Sequence, residues 1–135
     1  MEMSKALEIS ASGMAAQTER LRVIAENLAN QDTTGTDPRT DPYRRKTVTF
    51  TNELDQATGA QLVKVAKVGV DSSEFPTKYD PSHPAADATG YVRTPNVNPI
   101  VELMDMRDAE RSYSANLSVM QVARGMITRA LGILK

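Results

Sequence analysis

The sequence predicts an α+β fold in which N- and C-terminal heptad helices pack as a helical bundle or coiled coil, with a small β-rich, loop-rich middle segment. Three observations carry this. Apolar residues recur with heptad spacing at both ends of the 135-residue chain. All seven prolines fall between Pro38 and Pro99, where a missing amide and a clash with the preceding turn exclude continuous helix. Between those limits, one segment alternates with the period of a strand and a second is rich in β-branched residues. The division is therefore 1–30 as the first part of a helical domain, 31–99 as the middle, and 100–135 as its second part.

In the first helix the series is Leu7, Ala11, Met14, Thr18, Leu21, Ala25 and Leu28, whose alternating steps of four and three place side chains along one seam. Ser4 is the expected N-cap, because its hydroxyl can accept from the free amides of a first turn. The helix should end near Asn30, where Gln31 to Gly35 replace the repeat with turn formers. Ala11, Gly13, Ala15 and Ala16 keep its middle narrow, so another backbone can approach closely there.

The middle begins with a strand over 46–54, where Lys46, Val48 and Phe50 alternate with Thr47, Thr49 and Thr51. A second strand follows over 62–70, rich in valine, and Tyr91 to Arg93 form a third after the turn at Thr89 and Gly90. Residues 71–88, full of proline and polar side chains, are expected to be loop. So few strands have little stability alone, which points to support from neighbours.

The last helix should start at Pro99, a favourable first-turn residue, and run to Leu134, roughly 50 Å at 1.5 Å per residue. Its seam is Leu103, Met106, Glu110, Tyr113, Leu117, Met120, Arg124, Ile127, Leu131 and Leu134. Beside it runs a second row, Val119, Ala123, Met126, Ala130 and Ile133. The rows together span an arc of roughly 160°, wider than one partner helix covers. The two terminal seams are expected to face each other, and the surplus apolar surface to serve assembly. Glu110 and Arg124 either set register or lean out to solvent.

Composition narrows the function classes. Four tyrosines and two phenylalanines are the only aromatics, which leaves little for a large self-contained core. With 16 basic and 17 acidic residues there is no electrostatic footprint for nucleic acid. The triplet Arg44, Arg45 and Lys46 reads as a solvated strand start rather than a phosphate site. The absence of cysteine excludes a disulfide framework and thiol chemistry, and suits an oxidising compartment. No apolar run approaches the roughly 20 residues that span a bilayer. Glu8, Arg20 and Arg22 make the first helix a poor cleavable signal.

Catalytic and metal readings find little support. His83 is the one histidine. Asp80 and Asp87 lie near it, but without a second imidazole or a recognised metal spacing the segment reads as a turn. Asp32, Asp37 and Asp41 lack the alternate-residue spacing of a calcium loop. The four methionines of the last helix read as packing rather than a cofactor site. No cofactor, metal or catalytic residue is expected.

Several motifs in order resemble a known family. Ala25 to Asn30 (AENLAN), closing a heptad helix, resembles the N-terminal signature of bacterial flagellar rod and hook axial proteins. Tyr43 to Phe50 (YRRKTVTF), Tyr79 to Pro84 (YDPSHP), Gly90 to Val92, Pro95 to Pro99 (PNVNP) and Glu102 to Asn116 look like its proximal-rod members. The motif residues are Asn27, Leu28, Asn30, Tyr43, Gly90, Tyr91, Pro95, Asn96, Asn98 and Pro99. The resemblance implies a non-enzymatic subunit of the rod that spans the periplasm, transmits motor torque to the hook and is required for motility. It implies self-assembly through the terminal helices with copies of itself and other flagellar rod proteins. It further implies passage through the flagellar type III export apparatus without a cleaved signal peptide; charge and hydropathy add the expectation of no nucleic acid partner and no membrane-spanning segment. Two other functions compete. One is a soluble coiled-coil adaptor or export chaperone, which leaves the β middle unexplained, and the other is a cell-wall hydrolase using His83 and Asp87.

Overall fold

A computed structural model describes residues 2–135. The element order is α1 (Glu2–Ala29), β1 (Lys46–Leu54), β2 (Gln61–Val70), β3 (Thr77–Tyr79), β4 (Tyr91–Arg93) and α2 (Pro99–Ile133). Two long terminal helices thus bracket a small β-rich middle, as the proline distribution predicts. α1 begins before Ser4, so Ser4 lies within its first turn and does not cap it. α2 has a different cap. The Asn98 side chain accepts from the Ile100 amide at 3.1 Å, with Pro99 as the first helical residue.

β1 and β2 form one two-stranded sheet and β3 and β4 another. The short connection from Leu54 to Gln61 forces β1 and β2 to be antiparallel, and it is closed by Asp55 N–H donating to Ala60 O at 2.8 Å. Gly59 there has φ +70°, a left-handed value that favours glycine. β3 falls inside the segment expected to be loop. Only three residues long, it pairs antiparallel with β4, Thr77 opposite Arg93, Lys78 opposite Val92 and Tyr79 opposite Tyr91. A run so short carries no periodicity, so only its partner reveals it.

The contacts separate into two compact units. Among the described residues the first comprises 2–21, 48–67 and 106–135, the second 22–47 and 68–105. In the first unit the buried helical positions are small: Ser10, Gly13 and Ala16 on α1, Ala109 and Ala123 on α2. A Cβ on Gly13 would lie 2.8 Å from the Asn116 amide nitrogen, so this glycine admits α2 at close range. The hairpin is pinned to α1 by Val63 N–H, which donates to Ser12 Oγ at 3.1 Å.

The heptad frame is displaced by one residue along α1 and at alternate positions of α2, where Met106, Tyr113, Met120 and Ile127 stay half-buried. Ala109, Asn116 and Ala123 face inward where Glu110, Leu117 and Arg124 were expected, and Ser10 and Gly13 replace Ala11 and Met14. Glu110 and Arg124 are exposed. Close approach of two backbones selects the smallest side chains, and the bulky apolar residues flank the line of contact.

In the second unit Val23, Ile24, Val92 and Ala85 form the apolar centre. Gly90, with φ +88°, reverses the chain into β4. Tyr79 and Tyr91 meet edge to face with centroids 5.3 Å apart.

Candidate functional site

The second unit contains a polar clamp at the end of α1. The last turns of that helix place Asn27 against the start of β1, and the first turn of α2 brings Glu102 to it. Asn27 is 1% exposed and uses its full hydrogen-bonding capacity. Its Nδ2 donates to Lys46 O at 3.0 Å and to Glu102 Oε2 at 3.3 Å. Its Oδ1 accepts from Lys46 N at 2.9 Å and from the Tyr43 hydroxyl at 2.8 Å. The amide thus pairs with the Lys46 backbone as a neighbouring strand would.

Glu102 is fully buried, and its Oε1 accepts from Arg45 Nε. Arg45 also reaches Asp71 at 3.5 Å and Asp105 at 3.4 Å. Burial opposes the Arg45 charge, but the bond to Glu102 and the charges of Glu102, Asp71 and Asp105 outweigh it and raise the guanidinium pKa. Burial, ahead of the opposing Lys46 charge, pushes the Tyr43 phenol up. The hydrogen bond to Glu26, 3.0 Å away, holds Lys46 above its usual value. Backbone and side-chain bonds from Ser73, then Arg45, hold Asp71 low.

Asn96 extends the clamp. Its Oδ1 accepts from Arg45 N at 2.7 Å and its Nδ2 donates to Asp71 O at 3.1 Å. Arg44 donates to the same Asp71 carbonyl at 2.8 Å and lies 4.2 Å over the Phe75 ring. The basic triplet is therefore engaged rather than solvated, a correction to the sequence reading. Its partners lie far away in sequence, beyond the reach of any local pattern. Arg45 and Glu102 were missed as a site for that reason. The one signal for Glu102 was its place at the head of the Glu102 to Asn116 motif.

The motif residues converge in part. Asn27, Tyr43 and Asn96 belong to the clamp, Asn98 and Pro99 begin α2, and Gly90 and Tyr91 form the β3–β4 turn. Pro95 is buried. Asn30 caps the end of α1 by donating to Glu26 O at 2.8 Å, while Leu28 is half-buried.

His83 and Asp80 share one turn, closed by His83 N–H donating to Asp80 O at 3.2 Å, and Asp87 O accepts from Gly90 N–H at 3.0 Å in the next. His83 Nδ1 accepts from Ala85 N–H at 3.0 Å, so Nε2 carries the proton that faces Thr34 Oγ1 at 3.2 Å. Asp80 accepts from Ser82, and Asp87 from Thr89 and Tyr91. Among the described residues no group of acidic and histidine side chains is placed to hold a metal ion. No described helix is long and apolar enough to cross a membrane.

The expected assembly residues lie at the surface or its margin. On α1, Leu7, Met14, Leu21 and Leu28 are half-buried and Ala11 and Ala25 exposed. On α2, Met106, Tyr113, Met120 and Ile127 are half-buried. Leu103, Leu117, Val119, Met126, Leu131, Ile133 and Leu134 are exposed, Ile133 by 85%. A helix carrying this much outward apolar surface is built for contact.

Comparison with known proteins identifies the setting. Residues 7–35 match the family model described as "Flagella basal body rod protein". Residues 88–133 match "Flagellar basal body rod FlgEFG protein C-terminal". The chain is 50% identical over 133 residues to the flagellar basal-body rod protein FlgC of Agrobacterium fabrum, covering 98% of this chain and 96% of the relative. It is 39% identical over 142 residues to FlgC of Bacillus subtilis, covering 94% of this chain and 95% of the relative. With FlgC of Salmonella typhimurium it shares 40% identity over 133 residues, covering 97% of each. These identities, over nearly the whole chain, show that the chain belongs to the FlgC family of flagellar basal-body rod proteins.

Proposed function

We propose that this chain is a structural subunit of the flagellar rod that assembles through its two terminal helices, with copies of itself and with other rod proteins, into the shaft that carries torque to the hook. The observation that carries this reading is the outward apolar surface of α2, from Leu103 to Leu134, in a chain of the rod family. Rows of large apolar side chains at helical spacing supply many geometrically repeated contacts, and torsion distributes over all of them. In this reading 1–30 and 100–135 form the inner helical layer and 31–99 the outer part. The clamp holds the ends of both helices to the β segment so that load on one passes to the other. The rod crosses the periplasm, and the subunit reaches it through the flagellar export apparatus with its N-terminal segment uncleaved.

Mass spectrometry of purified hook and basal-body complexes tests the reading. A fixed ratio of this chain to other rod subunits is expected, with its first residues retained. Recovery from the cytosol in a stoichiometric complex with one partner, and absence from basal bodies, would replace it with the adaptor. His83→Ala should leave assembly and motility intact.

A further inference from the structure

Within the second unit, the loop after α1 and one face of the β3–β4 ribbon enclose a cavity of 320 Å³. Lys78 pairs with Val92, and the ladder continues past both strands, with Asp80 N–H donating to Gly90 O at 2.9 Å and Thr94 N–H to Pro76 O at 2.8 Å. Side chains alternate across a strand, so Lys78 and Asp80 share one face with Val92 and Thr94, and all four line the cavity. Val92, 2% exposed, supplies its apolar floor. Asp32 and Thr34 line it from the loop and His83 from the turn.

The walls are held by bonds of their own. Tyr43 N–H donates to Thr33 O at 2.9 Å and ties the loop to the chain entering β1. His83 is engaged at both ring nitrogens, accepting from Ala85 N–H at Nδ1 and facing Thr34 Oγ1 at 3.2 Å with Nε2. Thr34 therefore accepts from the imidazole and keeps its hydroxyl hydrogen for another acceptor. Small-molecule sites are usually preformed in this way, and the volume is at the small end of their range.

The charges facing this cavity do not neutralise one another. Asp32, Asp80 and Lys78 bring two carboxylates and one ammonium to it, and none of the three forms an ion pair among the described residues. The Ser82 hydroxyl, 2.7 Å from Asp80 Oδ1, holds that carboxyl below its ordinary value, so it is charged at neutral pH. His83, with Nδ1 accepting, is uncharged. The complement of two carboxylates and one ammonium is two ammonium groups and one carboxylate. We propose that the cavity binds a small basic amino acid, its carboxylate taken by Lys78, its ammonium groups by Asp32 and Asp80, and its aliphatic stem laid on Val92. A simple anion meets two like charges here, and a simple amine leaves Lys78 without a partner, so only a ligand carrying both signs satisfies the set. The site goes beyond the rod reading and does not draw on it.

Titration of L-lysine into the isotope-labelled full chain, followed by amide resonances, tests the site. Saturable shifts are expected at Thr34, Lys78, Val92 and Thr94, with a dissociation constant of about 1 mM or tighter. Acetate, n-butylamine and Nα-acetyl-lysine each lack part of the charge set and should bind at least about tenfold more weakly. Lys78→Met and Asp32→Asn, both at exposed positions, should each weaken L-lysine by about tenfold with the remaining resonances unmoved. Lys64→Met, on the hairpin and outside the cavity, should leave binding unchanged. No saturable shift in the unaltered chain, equal binding of any of the three partial ligands, or undiminished L-lysine binding in either cavity variant overturns the site. Each of those results leaves the rod reading in place, since basal-body composition is measured separately.

Discussion

In the second unit the buried side chains include a whole glutamate and an asparagine, each satisfied by partners from distant segments. In the first, the buried helical positions are serine, glycine and alanine, and the large apolar residues point outward. Asp37, Tyr43, Arg45, Lys46, Asp71, Asp80 and Asp87, whose ionisation is displaced, lie in the second unit. One unit satisfies its buried polar groups internally while leaving Ile100, Leu103 and Met104 exposed, whereas the other closes two helices on small residues and leaves most of its large apolar surface outward. A subunit needs both, because a joint that must not slip is best held by directional bonds. A surface that must accept repeated partners needs area and shape.

The strongest test of this contrast is Leu117→Asp. Leu117 is 37% exposed, so the helices should retain their circular dichroism, whereas incorporation into basal bodies and motility should be lost because a charge is then buried against a neighbour. Normal incorporation would break the comparison from the side of the first unit.

Arg45→Met tests the other side. It leaves the fully buried Glu102 without its cation, and loss of about 3–5 kcal/mol is expected in urea unfolding. Adding Glu102→Gln to that variant should recover part of the loss, because a neutral amide tolerates the site better than an unpaired charge. Equal additive losses would show that the two residues do not act together.

Gly90→Ala should cost about 1–3 kcal/mol. The φ of +88° disfavours a side chain, and a Cβ would lie 2.9 Å from the Tyr79 ring. The expected readout is a lowered unfolding midpoint with the edge-to-face tyrosine contact disturbed.

Acid should separate the units. Asp37, Asp71, Asp80 and Asp87 have folded pKa values below the ordinary 3.8, held there chiefly by hydrogen bonds from Arg39, Ser73, Ser82 and Thr89 respectively. A depressed carboxylate contributes stability above its unfolded pKa and loses it as pH falls through the folded value. Limited proteolysis at falling pH should therefore cut first within 22–47 and 68–105, from about pH 4 downward. First cuts in the hairpin would contradict this.

The smallest expected effect is Gly125→Ala. Nothing lies within 4 Å of a Cβ there, so the helix should gain about 0.5–1 kcal/mol in the isolated chain. Reduced assembly of this variant would place a neighbour's backbone against Gly125.

Much of the fold was legible. The proline-free ends are the two helices, α2 starts at Pro99, and strands lie at 46–54, where alternation placed one, at 61–70, where β-branched residues placed one over 62–70, and at 91–93, after the turn at Thr89 and Gly90. β3 was not legible, because three residues have no measurable period. Asn27, Tyr43 and Asn96 came forward through their motifs, but nothing local joined them to Arg45 and Glu102. Arg45 lies 57 residues from Glu102, and Asn27 lies 75 from it.

What the sequence determined by itself is where helix and strand can exist, since proline, small residues and apolar periodicity act on the nearest turns of chain. It also determined that heptad spacing would organise both helices. Only the tertiary structure decided which stripe faces inward. Periodicity says which residues share a face, but two helices meet on the face that lets their backbones come closest, here the one carrying Gly13, Ala16, Ala109 and Ala123. The clamp was decided in the same way, because a buried carboxylate is tolerated only where folding delivers a guanidinium and an amide to it.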